Sequence, residues 1–162
     1  MSIKWKKTAS ILLLLFIIAT LLFIFVQSML PPEKSSQESG AVGEIIEEII
    51  PPDTKPGAFI QINLRKIAHF VEFALLGAEI SLYIILFMRK NIFVLLSFPT
   101  ALMIAFFDET IQIFSGRGPA VLDVWIDFAG FTSASVIFYT VAVIIRYMCK
   151  NVNKNTQKQT VE

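Results

Sequence analysis

Long uncharged stretches alternate with short charged ones along this chain. The first uncharged stretch covers residues 8–30 and ends at a pair of prolines. Three more apolar stretches follow at residues 67–88, 91–107 and about 123–145. Roughly 20 apolar residues in a helix span the hydrocarbon core of a bilayer, so the pattern predicts four membrane-spanning helices.

The connection between the first two spans, residues 31–64, carries a weaker pattern. Apolar residues recur there at three- and four-residue spacing and glutamates fill the other face: Val42, Ile45, Ile46, Ile49 and Ile50 against Glu44, Glu47 and Glu48. This spacing predicts a short amphipathic helix over residues 42–50. The helix serves either as a lid over a site between the spans or as an interfacial helix that only lies on the membrane surface.

The composition supports a membrane location. Hydrophobic residues make up 55% of the 162 residues and charged residues only 17%, with a mean hydropathy of +0.67. An average soluble domain is about one quarter charged. The net charge of +1 argues against a nucleic-acid-binding protein, which needs an excess of basic residues. The single cysteine excludes a disulfide framework and a cysteine-based zinc site.

The basic residues are distributed unequally between the two sides of the predicted spans. With a cytoplasmic N-terminus, the cytoplasmic side holds Lys4, Lys6, Lys7, Arg89, Lys90, Arg146, Lys150, Lys154 and Lys158. The opposite side holds Lys34, Lys55, Arg65, Lys66 and Arg117. Because basic residues near the ends of spans favour the cytoplasmic side, both termini are expected there.

We therefore expect an all-α fold: an integral membrane four-helix bundle with cytoplasmic N- and C-termini and a short amphipathic helix in the first extracytoplasmic loop. The expected organisation is an N-terminal transmembrane signal anchor at residues 1–30, an acidic extracytoplasmic loop at 31–64, a three-helix membrane core at 65–147 and a cytoplasmic tail at 148–162. The anchor is expected to stay uncleaved because its apolar stretch exceeds the roughly 7–15 residues of a cleaved signal peptide.

Ionisable side chains interrupt the second apolar span at regular positions. Arg65, His69, Glu72 and Glu79 are spaced four, three and seven residues apart, so they lie along one face of a helix. Ionisable groups inside a membrane span are energetically costly and usually mark a functional site. This stripe is the first indication of a site.

The third and fourth spans add polar residues next to the loop that connects them. Asp108, Glu109 and Gln112 follow the third apolar stretch, and Asp123 and Asp127 begin the fourth. Because successive spans run in opposite directions, these side chains and those of the second span are predicted to meet at one level of the membrane. They form either an ion-pair network that only holds the helices together or a working site.

The candidate residues fall into two sets. Seven are candidates for a polar site of catalytic type: His69, Glu72, Asp108, Glu109, Gln112, Asp123 and Asp127. Three cations are candidates for binding an anionic ligand: Arg65, Lys66 and Arg117. One histidine disfavours tight zinc binding, whereas carboxylates suit Mg²⁺ or Ca²⁺. The sequence identifies no particular metal or other cofactor.

Three ordered motifs within residues 60–145 resemble the VanZ-like family. They are Arg65-Lys66-x-x-His69-Phe70-x-Glu72-Phe73, then Asp108-Glu109-x-x-Gln112-x-Phe114, then Gly116-Arg117 with Asp123-x-x-x-Asp127-x-x-Gly130. Ala134 stands where the last motif usually has a second glycine. The family is named for an accessory membrane protein associated with resistance to the glycopeptide teicoplanin. The resemblance implies a role at the cell envelope, in glycopeptide or lipoglycopeptide tolerance, and makes the motif residues functional candidates.

Two mechanisms are compatible with these residues. In the first, which we favour because no activated nucleophile is visible, the three cations bind an anionic group of a lipid-linked or envelope ligand. In the second, an intramembrane hydrolase or transferase uses His69 or Glu72 as a base on a lipid-linked substrate, with or without a cation. The expected location is the bacterial cytoplasmic membrane, with the site facing outside. The expected partners are membrane lipids and a lipid-linked cell-wall precursor or glycopeptide, and not nucleic acid.

The distribution of basic residues predicts the topology. Reporter fusions after Lys90 and after Lys150 should report a cytoplasmic position, and a fusion near Ser36 an external one. The physical reason is that basic residues at span ends resist translocation. A reporter that is active outside the cell when it is fused after Lys90 would contradict the four-span topology.

Overall fold

A computed structural model describes residues 3–88, 91–118 and 120–159 of the chain. Within these ranges the protein forms five helices: α1 (Ile3–Met29), α2 (Pro32–Ile49), α3 (Lys55–Phe87), α4 (Ile92–Phe114) and α5 (Val121–Gln159). Arg89 and Lys90, which we count among the cytoplasmic basic residues, lie outside the described residues, as do residues 1–2 and 160–162.

Four of the five helices are long and apolar enough to cross a membrane. The qualifying segments are Lys4–Met29, Lys55–Phe87, Ile92–Phe114 and Val121–Asn151. Large apolar side chains such as Leu15, Phe106 and Val136 are exposed on the outside of the bundle, where lipid would surround them. The predicted all-α architecture with four apolar membrane helices is confirmed, and the chain is a multi-pass membrane protein.

Helices α2 and α3 begin earlier than the sequence pattern predicts. Helix α2 begins at Pro32 instead of residue 42. Backbone N–H groups in the first turn of a helix have no intrahelical acceptor, so a proline there costs no hydrogen bond. Helix α3 begins at Lys55 instead of residue 67 because the hydroxyl of Thr54 accepts a hydrogen bond from the Gly57 N–H and caps the helix. The predicted loop therefore consists mostly of helix, and only residues 50–54 connect α2 to α3.

The four membrane helices form a bundle in which α1 and α5 each pack against both α3 and α4. Helix α2 packs on α3. The core is made of side chains from all four spans: Ile17, Ile24, Phe73, Leu76, Ala101, Ala105 and Phe131. Helices α1 and α4 end, and α3 and α5 begin, at the same end of this bundle, which we call the polar end.

The closest helix pair in the bundle is α3 with α5, and two glycines allow the approach. A Cβ atom on Gly77 would lie 2.9 Å from the Cα atom of Phe131, and closer still to its carbonyl oxygen. A Cβ atom on Gly130 would lie 3.1 Å from the carbonyl carbon of Phe70 and closer to its oxygen. Real Cβ atoms do not approach a backbone so closely, so the two backbones can touch only because both positions lack a side chain.

Substitution of either glycine by alanine should therefore push α3 away from α5. We expect Gly77→Ala and Gly130→Ala each to lower the free energy of unfolding by roughly 1–3 kcal/mol, the usual range for overpacking. The measurement is reversible unfolding of the detergent-solubilised protein in mixed micelles with increasing SDS. Gly40→Ala is the control, since no atom lies within 4 Å of the Cβ position there. Equal stability of all three variants would contradict this account of the helix pair.

Candidate functional site

The polar end of the bundle brings ionisable side chains from three helices to one histidine. The Nδ1 atom of His69, on α3, lies 3.9 Å from a carboxylate oxygen of Glu72 on the same helix. It lies 3.8 Å from an oxygen of Asp108 on α4 and 3.9 Å from an oxygen of Asp127 on α5. Asp108 and Asp127 are almost completely buried. We call these four residues the His69 cluster.

Hydrogen bonds from α1 and from its own helix α4 fix the position of Asp108. One carboxylate oxygen accepts a bond of 2.6 Å from the hydroxyl of Ser28 on α1. The other accepts a bond of 2.6 Å from the side-chain amide of Gln112, one turn further along α4. Arg65 on α3 donates in turn to the amide oxygen of Gln112 at 2.5 Å. This chain of bonds runs from Arg65 through Gln112 to Asp108 and leaves the amide only one orientation.

Arg117, in the turn between α4 and α5, contacts the end of α1. Its guanidinium donates to the backbone oxygens of Leu30 at 2.9 Å and Gln27 at 3.4 Å. These carbonyls lie at the C-terminal end of α1, where the i+4 N–H groups of a continuing helix are missing; the Gln27 oxygen also accepts from the Leu30 N–H. The pKa of Arg117 lies below its usual range, because burial and the nearby charge of Arg65 lower it by more than Asp108 and Glu109 raise it. The turn that carries Arg117 is made by Gly116, whose φ of 89° favours glycine.

The other candidates lie around the His69 cluster. Glu109 is buried, and its Oε1 atom accepts a hydrogen bond of 2.6 Å from the backbone N–H of Ala120, just before α5. Lys66, which is exposed, and Asp123, which is half-buried, line a small cavity of about 150 Å³ together with Asp127. Glu79 lies apart from the cluster, ten residues beyond His69 on α3, and accepts a hydrogen bond from Thr20.

Among the described residues, the carboxylates of the cluster have no direct ion pair with lysine or arginine. In the part of the chain that the structure describes, every pairing of a basic with an acidic side chain within 4 Å has His69 as its basic member. Arg65 and Arg117 donate instead to a neutral amide and to backbone carbonyls. The ion-pair network that we consider as the structural alternative is therefore not found among the described residues.

Several buried atoms of the site also lack a hydrogen-bond partner among the described residues. They are Nδ1 of His69, Oε2 of Glu72, Oε2 of Glu109, Nε of Arg117 and Oδ1 of Asp127. A buried polar atom without a partner usually costs about 1–3 kcal/mol. Their accumulation at one end of the bundle indicates that the bundle does not satisfy this site by itself.

A groove leads from the surface of the bundle to the cluster. It has a volume of about 410 Å³ and lies between α1, α2 and α3. Its walls are mostly apolar, with Phe23, Val42, Ile46 and Leu64 among them, and its polar lining consists of Gln27, Ser35, Arg65, His69, Glu72 and Arg117. Arg65 and His69 line both this groove and the smaller cavity with Asp123, so the cluster is approached from two sides.

Two residues of the first helix were not among the candidates from the sequence. Ser28 bonds to Asp108, and the backbone oxygens of Gln27 and Ser28 accept bonds from Arg117 and Ser115. Their only signal in the sequence is that they are adjacent polar residues at the end of a span whose other polar residues stand singly.

A protein-family comparison is consistent with this arrangement across nearly the whole bundle. The family model VanZ/LLP1 matches residues 11–145, from α1 through most of α5. The chain belongs to the VanZ/LLP1 family. No curated protein and no solved structure gives a significant match.

The VanZ/LLP1 match begins at residue 11 and therefore includes α1, which lies outside the three motifs that indicated the resemblance. The structure gives this helix a role in the site, because Ser28 and the end of α1 contact Asp108 and Arg117. A His69 cluster of this kind can act as a base, bind a cation, or position an arginine for an anionic ligand.

Removal of the Ser28 hydroxyl should weaken the link between α1 and α4. Ser28→Ala leaves a buried oxygen of Asp108 without its donor, so we expect the free energy of unfolding to fall by about 1–3 kcal/mol. SDS-induced unfolding of the purified protein measures the change. Thr100→Ala is the control, because that hydroxyl is exposed and bonds only to the Leu96 carbonyl of its own helix. A loss no larger than in the control would show that the bond contributes little.

Proposed function

We propose that this VanZ/LLP1 family protein binds an anionic, lipid-linked ligand of the cell envelope at the outer face of the bacterial cytoplasmic membrane. Through that binding it contributes to tolerance of glycopeptide or lipoglycopeptide antibiotics. The observation that carries the proposal is the groove between α1, α2 and α3, which joins apolar walls to a polar end. Family membership supports the link to glycopeptides.

The dimensions and chemistry of the groove suit an amphiphile. Its volume of about 410 Å³ is within the usual range for small-molecule sites. Apolar side chains from three helices, including Phe23, Ile46 and Ile67, offer a surface for a hydrocarbon chain. A lipid entering between the helices would bury its chain there and place its headgroup among the polar residues.

Arg65 is the best candidate for contact with an anionic headgroup. Its guanidinium uses one N–H for Gln112, and a guanidinium carries five N–H donors in a geometry that matches phosphate or carboxylate. Arg65 also lines the groove, the smaller cavity and a third cavity against α2. Lys66 and Arg117 add positive charge on either side of it, Lys66 beside the smaller cavity and Arg117 in the groove.

Helix α2 supports the idea of a lid. Val42 and Ile46 of this helix line the groove, so α2 covers one side of the path to His69. Gln61 on α3 donates a hydrogen bond to Glu47 on α2. Few contacts hold α2 to the bundle, and a helix held in this way can open for a ligand.

An intramembrane enzyme is the second candidate function. The observation that favours it is the position of His69. Its Nδ1 atom has no hydrogen-bond partner among the described residues and faces three carboxylates, and its side chain lines the groove. In this function His69 or Glu72 accepts a proton from the attacking group of a hydrolase or transferase reaction on a lipid-linked substrate.

Blocking the groove or neutralising Arg65 should remove the antibiotic phenotype. We expect expression of the wild-type chain to raise the minimal inhibitory concentration of teicoplanin in a susceptible Gram-positive host. Ala68→Phe, which fills the groove wall, and Arg65→Gln should both abolish that increase while their abundance in membranes stays normal. The controls are Ala58→Phe and Lys55→Gln, two exposed positions of α3 away from the groove.

The same strains distinguish the two candidate functions. Lipids retained by the purified protein are identified by native mass spectrometry, and total lipids are extracted from each strain. A bound lipid that is chemically unchanged supports a binding protein, and a modified lipid that is absent from an additional His69→Gln strain supports an enzyme. Full tolerance in both Ala68→Phe and Arg65→Gln would contradict the proposed use of the groove.

A further inference from the structure

We propose that His69, Asp108 and Asp127 bind a divalent metal cation at the polar end of the bundle. One potential ligand atom from each residue lies within 4.8 Å of the others. These atoms come from α3, α4 and α5, so the cation would join the three helices of the bundle that carry the family motifs.

The distances in the cluster suit a cation better than direct hydrogen bonds. The carboxylate oxygens of Asp108 and Asp127 lie 3.8 and 3.9 Å from Nδ1 of His69. These separations exceed the roughly 2.7–3.2 Å of an N–H···O hydrogen bond. Two ligand atoms that each lie about 2.0–2.4 Å from one ion are roughly 3–4 Å apart when they subtend about 90–120°. The cluster therefore has the spacing of an ion's ligands.

The surroundings of Asp127 give an independent indication of a cation site. Its side chain is only 2% exposed, and its Oδ1 atom, which faces Nδ1 of His69, has no hydrogen-bond partner among the described residues. Nδ1 of His69 likewise has no partner among them. Two buried atoms that can both donate an electron pair thus face each other, and a cation between them would satisfy both.

The charge around the cluster leads to the same inference. Glu72 lies 3.9 Å from His69, and Glu109 is buried nearby on α4. No lysine or arginine nitrogen lies within 4 Å of these carboxylates in the ranges that the structure describes. Burying several carboxylates without a close cation is strongly unfavourable, and a bound divalent ion would offset much of that cost.

The residues behind Asp108 have the arrangement that orients a metal ligand. Ser28 and Gln112 each donate a hydrogen bond to one of its oxygens, and Arg65 fixes the orientation of Gln112. Such outer contacts hold a ligating carboxylate in place and tune its affinity. One imidazole with two or more carboxylates suits a hard or borderline ion, so Mn²⁺ is an appropriate probe.

This site requires neither the lipid-linked ligand nor the antibiotic phenotype, and its test uses neither. The full chain is purified in mild detergent through a tag without histidine, stripped with EDTA and titrated with Mn²⁺, while free Mn²⁺ is followed by electron paramagnetic resonance. We expect one Mn²⁺ per chain, bound at or below about 0.1 mM free Mn²⁺. Asp127→Asn and Asp108→Asn should each weaken binding by more than about tenfold.

A matched control and a spectroscopic marker make the assignment specific. Glu79→Gln removes a carboxylate of α3 that lies away from the cluster and bonds to Thr20, so it should bind Mn²⁺ like the wild type. The chain contains a single histidine, so ¹⁴N coupling to bound Mn²⁺ in pulsed resonance spectra identifies His69. His69→Gln should remove that coupling.

Three results would overturn the inference. They are no Mn²⁺ binding by the wild type, binding without nitrogen coupling, and unchanged affinity in Asp127→Asn. Far-UV circular dichroism and gel filtration establish that each variant is folded. If Asp127→Asn does not fold, the nitrogen coupling of the wild type and its loss in His69→Gln decide the question.

Discussion

The cost of placing carboxylates inside an apolar bundle constrains this structure more than any other interaction. Asp108 and Asp127 are buried in helices that are apolar enough to cross a membrane. Hydrocarbon offers no hydrogen-bond donors, so the donors to these carboxylates must come from the protein itself. Ser28 on α1 meets this need for Asp108, and Ser115 and Arg117 bond the backbone at the end of the same helix. These bonds hold the end of α1 against α4 and the turn that follows it.

The close contact of α3 with α5 serves the same site. Gly130 lies three residues after Asp127, and the Phe70 backbone that it touches directly follows His69. The absence of a side chain at Gly130 therefore sets how near Asp127 comes to His69, at 3.9 Å. Gly77 and Phe131 continue the contact toward the core. Small residues commonly allow helices to approach in membranes, and here they also position two ionisable groups.

The sequence predicts the four spans because each is a long apolar run between charged residues. It also predicts that α3, α4 and α5 bring their polar residues to one end, since successive spans alternate in direction. It does not predict the part played by α1, because an evenly apolar helix shows no preferred face and Ser28 meets Asp108 across 80 residues of chain. It also leaves the contacts of Arg117 open, since a bond to a backbone carbonyl 87 residues away leaves no local pattern. The early start of α3 depends on the cap at Thr54, within a segment polar enough to suggest a loop.

An anionic ligand and a metal cation at this site would depend on each other electrostatically. The groove would lead the headgroup of the proposed ligand toward Glu72 and His69, and Asp108 and Asp127 lie within 4 Å of His69. Unneutralised carboxylates would repel a phosphate or carboxylate there, and in a medium of low dielectric constant the repulsion extends over several ångströms. Arg65 and Arg117 reduce it on the groove side, but they donate to an amide and to carbonyls instead of to the acids. A divalent ion bound by the acids would cancel most of their negative charge, so the two arginines would dominate the field at the headgroup and the cation would favour binding of the anion without touching it.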